Sequence, residues 1–285
     1  RRGIEAKRPA RSPDALSLAH PALLTGLVVA AAFLATSAAE TLWPLRRRRV
    51  EPRLRRVARN LSMAGVSLGV TELLQFPVLL PVAAWVKTEG FGLLNVVPLP
   101  PAARLALGVL LLDYTLWFWH WANHRLRFLW RFHVVHHVDL DMDASTALRF
   151  HFGEMGLSVF FRAAQVALLG APPEAVGIWQ LLLFVSILFH HSNTRLPLSV
   201  ERVLVRFVVT PRMHGIHHTN REAETNSNWS SLLSVWDVLH RTFRFDGDDQ
   251  AVVGVPAYTD PRELTWAGLM ALPFRPLRDD WVSTS

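Results

Sequence analysis

Thirteen histidines stand in 285 residues, and eleven of them fall between His120 and His218. His120 and His124 are four apart, a spacing that sets both imidazoles on one face of a helix, where they can bite a single metal ion. The geometry recurs in His133, His136 and His137 (H-V-V-H-H) and in His214, His217 and His218 (H-G-I-H-H). His190 and His191 add a further pair. Ten imidazoles exceed what one tetrahedral or octahedral ion can use, so two metals are implied. The chain has no cysteine, which removes thiolate zinc sites, disulfides, iron–sulfur clusters and cysteine nucleophiles together. No H-E-x-x-H protease motif occurs. Bis-histidine haem needs one nitrogen above and one below the ring, so doubled histidines suit it poorly. A metal transporter would hold its ligands at mid-membrane. His20 and His240 read as isolated interfacial side chains.

The elements that must position these residues are apolar and long. Hydrophobic residues make up 51% of the chain against 19% charged, and they gather into runs. Residues 21–45 carry one charge, Glu40, and 61–86 carry only Glu72, with Pro77 and Pro81 predicting a kink or an early end. Residues 102–123 form a third span that ends at the first histidines. Residues 155–170 and 171–189 form a shorter hairpin divided by Pro172 and Pro173, and beyond His190 no run reaches spanning length. The fold class expected is all-α: a polytopic integral membrane protein with four to five transmembrane helices and a cytoplasmic histidine-rich cap. Residues 1–20 read as a flexible basic arm, 21–104 as N-terminal membrane helices with an arginine-rich loop, and 246–285 as a cytoplasmic tail. Residue 1 is arginine, so targeting information can precede it.

The charge balance is +7, and 28 of the 30 basic residues are arginine. Eight lie within 46–59, between two apolar runs, which is the positive-inside pattern and argues against a nucleic-acid partner. With that loop inside, the third span returns to the cytoplasm at His120 and the hairpin goes out and back to His190. All eleven clustered histidines then emerge on one face of the membrane.

These residues resemble the fatty acid hydroxylase superfamily, and within it the bacterial sterol desaturase-like group. Asp113 stands seven residues before His120. Leu129 to His133 reads L-W-R-F-H, and Ala147 to His151 with Glu154 is similar to an A-L-R-F-H-P-x-E element. His190-His191-Ser192-Asn193 and Arg195-Leu196-Pro197 resemble H-H-S-N-x-R-L-P. Thr210 to His214 opens the third box, and Asn226, Asn228, Trp236 and Asp237 fit its closing pattern. Trp121, Phe152-Gly153 and Leu239 to Thr242 depart from it, and none of these removes a ligand candidate. The similarity runs from about Asp113 to Phe243, inside a catalytic domain set at 105–245.

The resemblance implies a membrane-embedded pair of iron ions, with zinc as a possible substitute, that uses dioxygen to hydroxylate or desaturate a lipid such as a sterol or fatty acyl chain. Iron suits the task because attack on an unactivated C–H bond needs a metal that changes oxidation state. The metal ligands expected are His120, His124, His133, His136, His137, His190, His191, His214, His217 and His218, with His191 preferred to His190. Asp113, on roughly the same helical face as His120, is expected to orient that imidazole. Asn193, Asn228 and Asp237 are expected to position the site. His151 and Glu154 are expected to pair with ligands or with Arg149. Trp117, Trp119 and Trp121 line a lateral lipid tunnel or form an interfacial belt. The chain has no G-x-G-x-x-G fingerprint, so an external ferredoxin, cytochrome or reductase is expected to supply electrons. The location expected is a bacterial inner membrane with the active site on the cytoplasmic side. The alternative is a metal- or haem-binding membrane protein without oxygenase activity, an electron-transfer subunit or a metal transporter.

Overall fold

A computed structural model describes residues 15–47 and 49–278. Residues 1–14 of the expected arm, Arg48, and 279–285 of the expected tail lie outside the described residues. Helices account for the framework: α1 (Ala15–Leu42), α2 (Arg53–Leu74), α3 (Leu80–Glu89), α4 (Leu93–Val96), α5 (Pro101–Arg125), α6 (Arg127–His137), α7 (Phe152–Leu169), α8 (Pro173–His191), α9 (Leu198–Leu204), α10 (Pro211–His217), α11 (Glu222–Thr225), α12 (Val235–Leu239) and α13 (Trp266–Ala271). Among the described residues there are isolated β-bridges but no strands. The protein is an all-α polytopic membrane protein.

Among the described residues, five stretches are long and apolar enough to cross a bilayer: Leu23–Leu42, Arg53–Val96, Pro101–Arg125, Phe152–Leu169 and Pro173–His191. Both arms of the short hairpin therefore qualify. Proline starts α5 and α8, where its missing N–H costs nothing, and left-handed glycines end α3 and α7. The second span does not end at Pro77. It passes through one π-helical turn, Gln75–Leu79, which absorbs the hydrogen bond that proline cannot donate, and continues as α3. At the far end of the bundle Gly92 and Gly170, both at positive φ, bring the α3–α4 and α7–α8 loops into backbone contact that leaves no room for a Cβ.

The opposite end collects the histidines. Asn193, just past α8, exchanges hydrogen bonds of 2.8 Å with the backbone of Arg46, just past α1. Glu154 at the start of α7 meets His133 of α6, and His191 at the end of α8 meets His136. The ends of α1, α5 and α8 and the starts of α2 and α7 thus share one level, as the charge and hydropathy pattern predicts.

Two of the loop arginines are not solvated charges. Arg56 pairs with Asp139 at 3.1 Å and with Asp143, while Arg59 pairs with Glu51 at 2.7 Å, and all five side chains are buried. Within 246–285, expected as a cytoplasmic tail, part of the described stretch packs against the helices. Val255, Tyr258, Leu264, Leu269 and Leu272 join Met63 of α2 and Trp130, Val134 and Val135 of α6 in one apolar cluster. Arg59 and Arg131 donate to the carbonyls of Leu264 and Pro273, which fastens this segment over the histidine end.

Candidate metal centre

Helical pitch sorts the histidines into two nests. Neighbouring residues on a helix diverge by about 100°, so each H-x-x-H-H motif divides between two centres. His120 and His124 of α5, His133 and His137 of α6 and His217 of α10 form the first nest. His136 of α6, His191 of α8, His214 of α10 and His218 just beyond it form the second. Within each nest the ligating atoms lie within 4.8 Å of one another. α6 and α10 serve both nests and fix their separation.

The ring nitrogens facing outward are anchored. Nδ1 of His120 donates to the Trp229 carbonyl (2.8 Å), that of His191 to Ile187 (2.8 Å) and that of His217 to Ser227 (2.7 Å), while His133 Nδ1 meets Glu154 Oε1 at 2.8 Å. Such bonds set the tautomer and leave Nε2 as the donor for a metal. In the first nest Nε2 of His124, His133, His137 and His217 is buried without a hydrogen-bond partner. In the second, Nε2 atoms face each other at 3.0 Å (His136–His191), 2.9 Å (His191–His214) and 3.1 Å (His214–His218). Burial, reinforced by the neighbouring imidazoles, holds His136, His137, His214 and His218 well below the usual imidazole range, and burial holds His217 at about 3. Neutral lone pairs converging in a water-poor space fit a cation at each centre.

His190 belongs to neither nest. It projects beside the second one, with its ring 4.1 Å from His214 and its Nδ1 buried without a partner. Asp113 does not reach His120. Its Oδ2 accepts from Leu233 N (3.1 Å) and Trp236 Nε1 (2.6 Å), because the chain after α10 folds back against α5 at that level. Asp237 acts through a carbonyl: it accepts from Trp229 N and Ser230 N (2.9 Å each), Trp117 Nε1 (2.9 Å) and Thr242 Oγ1 (2.7 Å), fixing the loop whose Trp229 carbonyl holds His120. Asn228, at φ 55°, ties the Met213 and Arg244 backbones together beside the third motif. Asn193 supports the arginine loop rather than a ring. His151 caps α7 through Gly153 N (2.9 Å) and leaves Glu154 as the carboxylate on a ligand. His240 stacks on Trp117 at 3.9 Å. Trp119 stacks on Phe161.

What sequence reasoning missed is the ionic frame behind α6. Arg149, wholly buried, donates to the Val135 carbonyl (2.9 Å) and pairs with Asp139 (3.3 Å), and Asp139 also binds Thr146 Oγ1 at 2.9 Å. The alternating Asp139, Asp141 and Asp143 directly after the second motif were the available signal.

Glu154→Gln keeps the side chain's shape but removes its charge from His133. It is expected to weaken metal binding roughly 10- to 100-fold, read as metal retained against a competing chelator. Unchanged retention would show that Glu154 does not tune the ligand.

Spanning helices with twin imidazole nests gathered at one end define a membrane histidine-box protein. Residues 105–242 match the fatty acid hydroxylase family model. The chain is 30% identical to ornithine lipid hydroxylase OlsE of Rhizobium tropici over 145 residues, covering 50% of this chain and 43% of that protein. It is 27% identical to cholesterol 25-hydroxylase of Mus musculus over 145 residues (50% and 47%), and 22% identical to alkylglycerol monooxygenase of Homo sapiens over 136 residues (48% and 29%). The chain thus spans less than half the length of these relatives. No solved structure matches it.

Proposed function

We propose that the protein is a membrane-bound di-iron oxidoreductase that hydroxylates a lipid with dioxygen. The carrying observation is the convergence of nine imidazoles from four stretches of chain into two adjoining nests. Each nest would hold one iron, and the pair would supply reductive activation of dioxygen, one oxygen atom entering a C–H bond and the other leaving as water. The first nest offers five ring nitrogens and the second four, which leaves the second the more open to a further ligand. Glu154, the Trp229, Ser227 and Ile187 carbonyls, and Asp237 through Trp229 hold the rings in register. The buried setting excludes bulk water from the reacting centre.

The relatives' names, an ornithine lipid, a sterol and an alkylglycerol, support a lipid substrate and favour hydroxylation over desaturation. The substrate would reach the nests from the bilayer that surrounds the five spans. Electrons would come from an external ferredoxin, cytochrome or reductase, since the chain has no cysteine to hold an iron–sulfur cluster. The exposed arginines Arg47, Arg49 and Arg55 at the histidine end suit an acidic carrier. They also support an inner-membrane orientation with the nests on the cytoplasmic side.

Metal analysis with optical spectroscopy on purified protein tests the reading. Two irons per chain and no Soret band are expected. A Soret band, or one tightly held metal without turnover, would transfer the protein to the haem or transport class. Comparing lipid profiles of cells with and without the protein then identifies the substrate as the lipid that gains a hydroxyl only where the protein is present.

A further inference from the structure

Past His191 no run of sequence is long enough to span a membrane, yet part of this region lies deep in the bundle. Asp113 is the midpoint of α5, twelve residues from each end, hence about 18 Å from either end at a rise of ~1.5 Å per residue. Its carboxylate is where Leu233 N and Trp236 Nε1 dock. Leu232 packs against the cluster of Leu112, Trp179 and Leu183 contributed by α5 and α8. The midpoint of a spanning helix lies near the centre of a hydrocarbon layer about 30 Å thick, so the chain around α12 descends well below the membrane surface.

The outward face at that depth is apolar. Val238 and Leu239 of α12 are 56% and 61% exposed. The segment after α9 is tied to the start of α12 by a backbone bond from Ser234 N to the Phe207 carbonyl (3.2 Å) and a bridge between Val208 and Leu233. It adds Phe207 at 64%, with Val203 of α9 at 55%. Interleaved with these are the exposed arginines Arg202, Arg206 and Arg241, which have no ion-pair partner among the described residues. Apolar side chains alternating with flexible cations are the signature of a surface lying in a lipid interface. Arginine stems can bury in acyl chains while the guanidinium heads rise to phosphates.

We propose that α9, α12 and the turns joining them form a facet seated in one leaflet of the bilayer, with Val203, Phe207, Val238 and Leu239 among the acyl chains and Arg202, Arg206 and Arg241 on lipid phosphates. The occupant is lipid because the facet continues onto the outward face of α5, where Phe118, 39% exposed, packs against His240 just past α12. The contact follows from the fold and stands whether or not the metal chemistry proposed above is right. It makes this region a half-inserted wedge rather than a cap wholly above the membrane.

The absence of native cysteine makes the test direct. Val238→Cys, Val203→Cys and, as a water-facing control, Arg262→Cys (side chain 90% exposed) each take one nitroxide label in the full chain, reconstituted into bilayers of phosphatidylcholine and phosphatidylglycerol. All three positions are on the surface, so labelling opens no cavity. At Val238 and Val203 the ratio of collisions with dissolved oxygen to collisions with a water-soluble nickel chelate is expected to be several-fold higher than at Arg262. A nickel chelate that reaches Val238 as freely as Arg262 would overturn the proposal by showing water at the facet. Loss of both kinds of collision, together with a disulfide between Val238→Cys chains, would overturn it in favour of a second copy.

Discussion

His136→Ala is expected to remove one of two bound metals and to abolish product formation. His136 is buried, its Nε2 stands 3.0 Å from that of His191, and the second nest has only three other imidazoles to hold its ion. The first nest keeps all five of its rings, so its ion should remain. Metal analysis should therefore fall from two per chain to about one, and turnover should drop by at least about 10³-fold, on the order of 4 kcal/mol in the barrier. His190→Ala is the informative companion. Its ring lies outside both nests, so it should leave the stoichiometry at two. If His136→Ala retains both metals, or if His190→Ala loses one, the division into nests is wrong.

Asp139→Ala is expected to cost the fold itself about 3–5 kcal/mol, because it strands Arg149 in the interior without its carboxylate and leaves Arg56 with Asp143 alone. Arg149 is the support on which the Val135 carbonyl, and with it the second histidine motif, rests. Thermal unfolding in detergent should shift down by many degrees, and an unshifted transition would show the network to be dispensable. The same carboxylate sets an acid limit. Burial pushes Asp139 up, but Arg56, Arg149 and Arg59 outweigh it and leave it below its ordinary range. A depressed carboxylate adds stability that is fully present above its unfolded pKa of ~3.9 and fades as pH falls through the lower folded value. Loss of the native transition should therefore set in below about pH 4. The Asp139→Ala variant should show a shallower acid dependence than the parent chain.

Much of the fold was legible because a bilayer leaves a chain few options. Backbone groups in hydrocarbon must bond internally, so long apolar runs become helices, and their number and order follow from hydropathy alone. The histidines were legible because i, i+3 and i, i+4 spacings survive in any helix. Hydropathy said less about the residues after His191. The docking of α12 on Asp113 and of the 253–272 segment on α2 and α6 depends on contacts more than a hundred residues apart. Asp113 shows the difference well: a carboxylate in a spanning helix signals a partner, yet sequence pointed to His120 seven residues on, and the partner was Trp236.

The sequence by itself determined which histidines could ligate a metal, that they share one end of a helical membrane bundle, and that no thiolate is among the donors. Only the tertiary structure decided how H-V-V-H-H and H-G-I-H-H divide, that His191 enters a nest while His190 does not, and that Arg56 and Arg59 are buried counterions rather than surface charge. The reason is that helical spacing fixes relative angle within one element, whereas membership of a site depends on the packing of α6 against α10 and α8, which no local pattern encodes.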